Sequence, residues 1–255
     1  SQVLPGYDIG GTIGDRFGPL AIFASARHVA NASQPLAYAT ATRSASPGTV
    51  PVSGGFDDVN RTGAPIRVLG AAGIERQQQD FFKLKAVVDL TAAIRLSYVG
   101  GLFLNDSEAT AQSYLSNAVG APVFSGNLDI GGIGYSVAAG AFANSVYETR
   151  QRHWSHSLSA TGSTGNVDWQ VIGTLFDFAL DSQRFPNAVT SSGAGIATGS
   201  GAGSIVRRDG TGWSTVDAKL AWHVGGRDGA HVVSAGYHRD RYTLASNRYA
   251  TTEWR

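Results

Sequence analysis

The side chains of this chain that could do chemistry are few, and their spacing does not favour catalysis. His153 and His156 stand three residues apart. On a strand that spacing sends them to opposite faces, whereas the zinc-chelating H-E-x-x-H arrangement needs a helix. The stretch Gly193–Gly203 is rich in glycine but holds no G-K-[ST] and opens no helix. It reads as a mobile surface loop and not as a phosphate cradle. No G-x-S-x-G elbow supports a hydrolase. Cysteine is absent, so neither a disulfide framework nor a Cys-ligated metal is available. The sequons at Asn31, Asn60 and Asn105 matter only in a secreted eukaryotic protein. The expectation is a protein without catalytic residues, metal or cofactor.

Residues that could bind fall into two groups. Tyr135, Tyr147, Arg150, Arg152, His153, Arg184 and Trp213 lie on or beside long glycine-rich connections. Aromatics and arginines of this kind suit a flat-faced, anionic ligand rich in oxygen acceptors. Arg27, Lys83, Lys85, Arg95, Asp217 and Lys219, with Asp89 among them, instead alternate with apolar residues along extended segments. Such a row is either a wall that contacts an anionic solute or a solvated surface with cross-strand ion pairs.

The elements that must position these residues read as eight strands in four hairpins. The first runs down from Tyr7 to Gly14, turns at Asp15–Gly18 and returns from Pro19 to Val29. The second spans Phe81–Asp89 and Ala93–Leu104 around Leu90–Ala92. The third spans Arg150–Ala160 and Val167–Leu180 around Gly162–Asn166. The fourth spans Ser214–Val224 and Ala230–Leu244 around Gly225–Gly229. Phe82, Leu84, Ala86 and Val88 share one face, with Lys83, Lys85 and Asp89 on the other. Val216, Ala218, Leu220, Trp222 and Val224 oppose Asp217, Lys219 and His223 in the same way. His156 falls on the apolar phase of its strand, and Phe176 and Phe178 on the polar phase.

Alternation alone fits a soluble sandwich, with the apolar face as core, as well as a membrane barrel, with that face against lipid. Three features favour the barrel. Short turns alternate with long connections at 30–80, 105–149 and 181–213, which are uncommon in compact soluble domains. Trp169 and Trp222 lie near short turns, in the phase of an interfacial aromatic girdle. Ten residues tilted by about 45° span roughly 23 Å, close to the apolar band of such barrels. Charged residues make up only 15%, low for a soluble surface, and the net charge of +1 gives no basic field for nucleic acid. The uncharged run Ile130–Tyr147 is broken by Gly131, Gly132, Gly134 and Gly140, which makes a poor transmembrane helix.

Four stretches resemble barrel segments of TonB-dependent outer-membrane receptors: GDRFGPLAIFASARHVANASQPLAY (14–38), KLKAVVDLTAAIRLSYVGGLFLND (83–106), DGTGWSTVDAKLAWHV (209–224) and HVVSAGYHRDRYTLAS (231–246). The resemblance implies uptake of ferric siderophores or comparable nutrients across a bacterial outer membrane. It also implies a 22-stranded barrel, an N-terminal plug that engages TonB, and ligand capture by extracellular loops and the plug apex. No plug or TonB box precedes the first hairpin, and Thr252–Arg255 do not resemble a closing strand with a terminal aromatic. Residues 1–255 therefore read as one partial, open antiparallel transmembrane β-barrel domain with short periplasmic turns and long extracellular loops. Such a section contacts outer-membrane lipid and a siderophore-like ligand, meets TonB only through the missing plug, and does not transport alone. Two other classes stay open. One is a small structural or adhesin-like outer-membrane barrel whose first and last strands pair. The other is a soluble β-sandwich binding module with two apolar faces packed together.

Overall fold

The computed structural model describes residues 5–255. The protein is all-β, built on a large antiparallel sheet. In chain order its first strands are β1 (Gly6–Phe17), β2 (Leu20–Ala32), β3 (Ala37–Ala41), β4 (Val50–Pro51), β5 (Ser53–Gly54) and β6 (Phe56–Val59). There follow β7 (Pro65–Thr91), β8 (Ile94–Ser113), β9 (Leu115–Ser116), β10 (Gly126–Ile130) and β11 (Ile133–Val137). After a 3-10 turn at Ala143–Ser145 come β12 (Tyr147–Thr164), β13 (Val167–Gly193), β14 (Ile196–Arg207), β15 (Gly212–Val224), β16 (His231–Thr243) and β17 (Asn247–Thr251).

Eight of these strands form a meander in the order β1-β2-β7-β8-β12-β13-β15-β16, each antiparallel to the next. They are the eight strands and four hairpins expected from the period-two pattern. Three turns are tighter than expected, with Asp15 and Arg16 paired within the first hairpin and Gly162 and Ser163 within the third, while the fourth, between Val224 and His231, is longer. Gly18 and Gly165 open their turns at φ of 57° and 58°, where only glycine avoids a steric cost. β1 and β16 pair on one side only among the described residues, so the sheet is open.

Register fixes the two faces. Leu20, Val88, Leu96, Ala160, Val171, Ala218 and Tyr237 form one row of paired residues across the meander. The row lies beside the turn at β2. At β15 it lies six residues from the strand end, Ala218 against Val224. The rows are therefore inclined to the line of turns, the stagger that tilted strands have in a barrel wall.

The long connections are not loops. β7 and β13 each run for 27 residues and extend well past the ten-residue band. Their far ends join the short strands in a cap. There β11-β10-β4 form a small sheet, β5 pairs with β9, and β3 and β6 add to β7. The buried hydrophobic cluster sits in this cap: Leu69, Leu115, Leu128, Phe142 and Val146 are shielded from solvent. On β8 every second residue, Asn105, Ser107, Ala109, Ala111 and Ser113, is buried. These share the phase of Arg95. Ala111 joins the cluster and the Ser113 hydroxyl donates to the Val123 carbonyl, so the cap lies over the polar face of the sheet.

The expectation of a mobile loop at Gly193–Gly203 is corrected. β14 occupies most of it and pairs with β13 and β17. Its glycines admit a bulky neighbour: a Cβ at Gly203 would stand 2.3 Å from the Phe185 carbonyl oxygen and 2.7 Å from Trp254 Cβ. Trp254 is thereby buried, and Arg255 reaches across to Glu108.

Candidate functional site

The polar face of the meander carries, on one surface, all six residues expected to line a lumen. Arg27 pairs with Asp8, and Arg95 shares Asp89 with Arg16 at 2.6 and 2.7 Å. Asp217 bonds His238 at 2.7 Å. Lys83, Lys85 and Lys219 have no ion-pair partner among the described residues. Nearest the turns, Asp168 accepts from Ser163, His223 and Arg227. These cross-strand bonds tie neighbouring strands with polar groups, as a wetted surface allows.

Farther from the turns the same face carries an aromatic row. Phe81 and Phe103 lie 5.0 Å apart between ring centroids, Phe103 and His153 5.7 Å, and His153 stacks on Phe178 at 3.9 Å. Phe176 stacks on Trp213 at 4.2 Å. Phe176 and Phe178 hold the polar phase that runs unbroken from the hairpin turn. Ala179 is left out of the ladder between Arg152–Leu180 and His153–Phe178, which shifts the phase of β13 beyond it. Asp181 is thus placed beside Gln151, on the polar face.

A buried network follows directly above the aromatics. Asn105 donates to Gln151 at 2.9 Å, and Gln151 donates to Asp181 at 2.9 Å. His153 bonds the same carboxylate at 3.0 Å and Arg208 its other oxygen at 3.3 Å. Asp181 is only 2% exposed. Its backbone N–H donates to Asp209 and its carbonyl accepts from the Arg208 N–H, so the network anchors the connection between β14 and β15.

The seven residues expected to meet ligand at the rim do not converge. Tyr135 is buried in the cap core, and His153 is buried between Phe178 and Asp181; both serve packing, which corrects their placement at an open rim. Arg184 holds the Trp254 carbonyl at 3.3 Å. Tyr147 lies half-buried, 6.4 Å from the Phe185 ring. Burial, reinforced by the Glu75 carboxylate, pushes its phenol up to about 12. Trp213 is exposed in the aromatic row, while Arg152 shares the opposite face with Trp154. Arg150 pairs with Glu148 at 2.9 Å. It lines a cavity of about 730 Å³ with Tyr7, Asn31, Arg76, Gln78 and Glu108. Reading each strand alone missed this cavity, because β1, β2, β7, β8 and β12 all contribute to it.

Comparison with protein-family profiles, with curated proteins and with solved structures finds no match for this chain.

Proposed function

We propose that this chain is a wall section of an outer-membrane β-barrel receptor of the TonB-dependent kind, serving uptake of ferric siderophores or comparable nutrients. In this reading the apolar face meets lipid, the polar face lines the lumen, the short turns are periplasmic and the cap is extracellular. One observation carries it. Leu84, Leu158, Leu220 and Val233 are 45%, 59%, 46% and 55% exposed, while the buried hydrophobic cluster lies in the cap. A soluble protein rarely leaves an apolar face of this extent bare, whereas a membrane protein requires it. The incline of the paired rows supports a tilted barrel wall. The lack of pairing between β1 and β16 favours a section of a larger barrel over an eight-stranded barrel closed on itself. The uncompensated Lys83, Lys85 and Lys219 suit an anionic cargo.

Fractionation tests the reading. Expressed with an export signal, the protein is expected in the outer-membrane pellet, released only by detergent. Once solubilised, its tryptophan fluorescence is expected to quench with a ferric catecholate or hydroxamate chelate. Recovery as a soluble monomer without detergent would overturn the barrel; membrane residence without quenching would overturn the receptor.

A further inference from the structure

The apolar face is interrupted by a groove of about 630 Å³ that crosses β1, β2, β7, β8 and β12. Gly11 and Ala26 keep its floor low at one end, the Tyr98 ring lies over Gly100 at the other, and Phe82, Leu102 and Trp154 rise around it. Five strands at about 4.8 Å spacing give a length of about 19 Å. Within the groove the His156 imidazole and the Tyr98 phenol stand on this apolar surface, where a polar group is costly unless it is used. His156 Nδ1 lies 2.7 Å from the Tyr98 hydroxyl, and the imidazole runs nearly parallel to Trp154 at 5.9 Å. Its Nε2 has no hydrogen-bond partner among the described residues. Two residues beyond Trp154, on the same face, Arg152 is exposed and has no acidic partner among the described residues. The neighbouring Arg150 is already paired with Glu148.

Arg152, Trp154 and His156 therefore form a column with steps of about 7 Å: a free cation, an aromatic ring and a hydrogen-bonding group at the mouth of an apolar trough. The trough lies across two adjacent paired rows, one through Trp154, Leu102, Phe82, Ala26 and Gly11, the other through His156, Gly100, Leu84, Ala24 and Ile13. Because those rows are inclined to the line of turns, it descends from the far edge of the apolar band at β12 toward the middle of the band at β1. That sequence of chemistries is the sequence along a lipid from phosphate through glycerol to chain.

Resting on the barrel reading above, we propose that this groove binds one anionic membrane lipid. The phosphate sits on Arg152, an ester or hydroxyl oxygen accepts from His156 Nε2, and an acyl chain runs over the Tyr98 ring toward Ala26 and Gly11. The unpaired guanidinium selects an anionic headgroup, and the trough, at about two-thirds of the roughly 30 Å hydrocarbon thickness of a bilayer, is long enough for one acyl chain.

The test is native mass spectrometry of the detergent-extracted, delipidated protein titrated with phosphatidylglycerol and, separately, phosphatidylcholine of equal chain length. One phosphatidylglycerol per chain is expected, bound about tenfold more tightly than phosphatidylcholine. Arg152→Gln is expected to abolish that preference, and His156→Leu to weaken both lipids. Arg239→Gln, on the same face but outside the groove, is expected to change neither. Equal phosphatidylglycerol binding by the Arg152 and His156 variants would overturn the site, as would a second polypeptide in place of lipid. Absence of the protein from the membrane pellet would overturn the barrel reading as well, and fractionation reveals that before any lipid is added.

Discussion

Asp181 accepts hydrogen bonds from Gln151, His153 and Arg208 while almost wholly shielded from water. Removing one partner of a buried charge cluster leaves the others unsatisfied. Asp181→Ala is therefore expected to cost about 2–4 kcal/mol and to expose the β14–β15 connection to limited proteolysis before the meander unfolds. Tyr147 gives the pH prediction. Its folded value of about 12 lies above the ordinary 10.0, so the unfolded phenol ionises first. Between pH 10 and 12 the unfolded state holds fewer protons than the folded one. Stability from this group is complete below pH 10 and falls as pH rises through that window. Tyr147→Phe is expected to flatten the decline of Tm with pH there, and an unchanged slope would refute the assignment.

Among the elements, the hairpins of the meander were legible in the sequence because two signals coincide in them: period-two alternation and turns of two to six residues. Leu84 and Lys83 point apart for the same reason that Leu220 and Lys219 do. The cap was not legible. Its strands are two to five residues long and pair across great sequence distances, Val50 with Leu128 and Ser53 with Ser116. No local pattern reports such pairs. The bulge at Ala179, which brings Asp181 to the polar face, was equally silent, and the polar phase of Phe176 and Phe178 had no evident role until the aromatic row gave it a place. Of the candidate site residues, the shared polar face of the set expected to line a lumen followed from strand phase. The rim set was chosen by residue type and proximity to loops, and the cap redistributed it between core, clasp and surface. The two faces differ in what they tolerate. Leu158, midway along the apolar band, is expected to lose about 2–4 kcal/mol of folding free energy in a bilayer when changed to Arg. Ser157→Arg, one residue away on the polar face, is expected to fold within about 1 kcal/mol of the parent. Equal costs at both positions would contradict the facial assignment.

At the scale of the whole molecule, the buried core and the large sheet are separated. The meander contributes strength through its ladder and cross-strand ion pairs, while hydrophobic burial concentrates where the strands outgrow the band and the connections fold over the polar face. That division leaves a broad apolar surface uncovered, which in the proposed reading meets the lipid bilayer. Spin labels placed in turn along residues 155–161 of β12, in the protein reconstituted into lipid vesicles, test this most directly. A period of two is expected: labels at 156, 158 and 160 relaxed by oxygen from the hydrocarbon, and labels at 155, 157, 159 and 161 relaxed by a water-soluble nickel complex. Labels at 156, 158 and 160 that neither oxygen nor nickel reaches would mean that a second protein layer, and not lipid, covers this face.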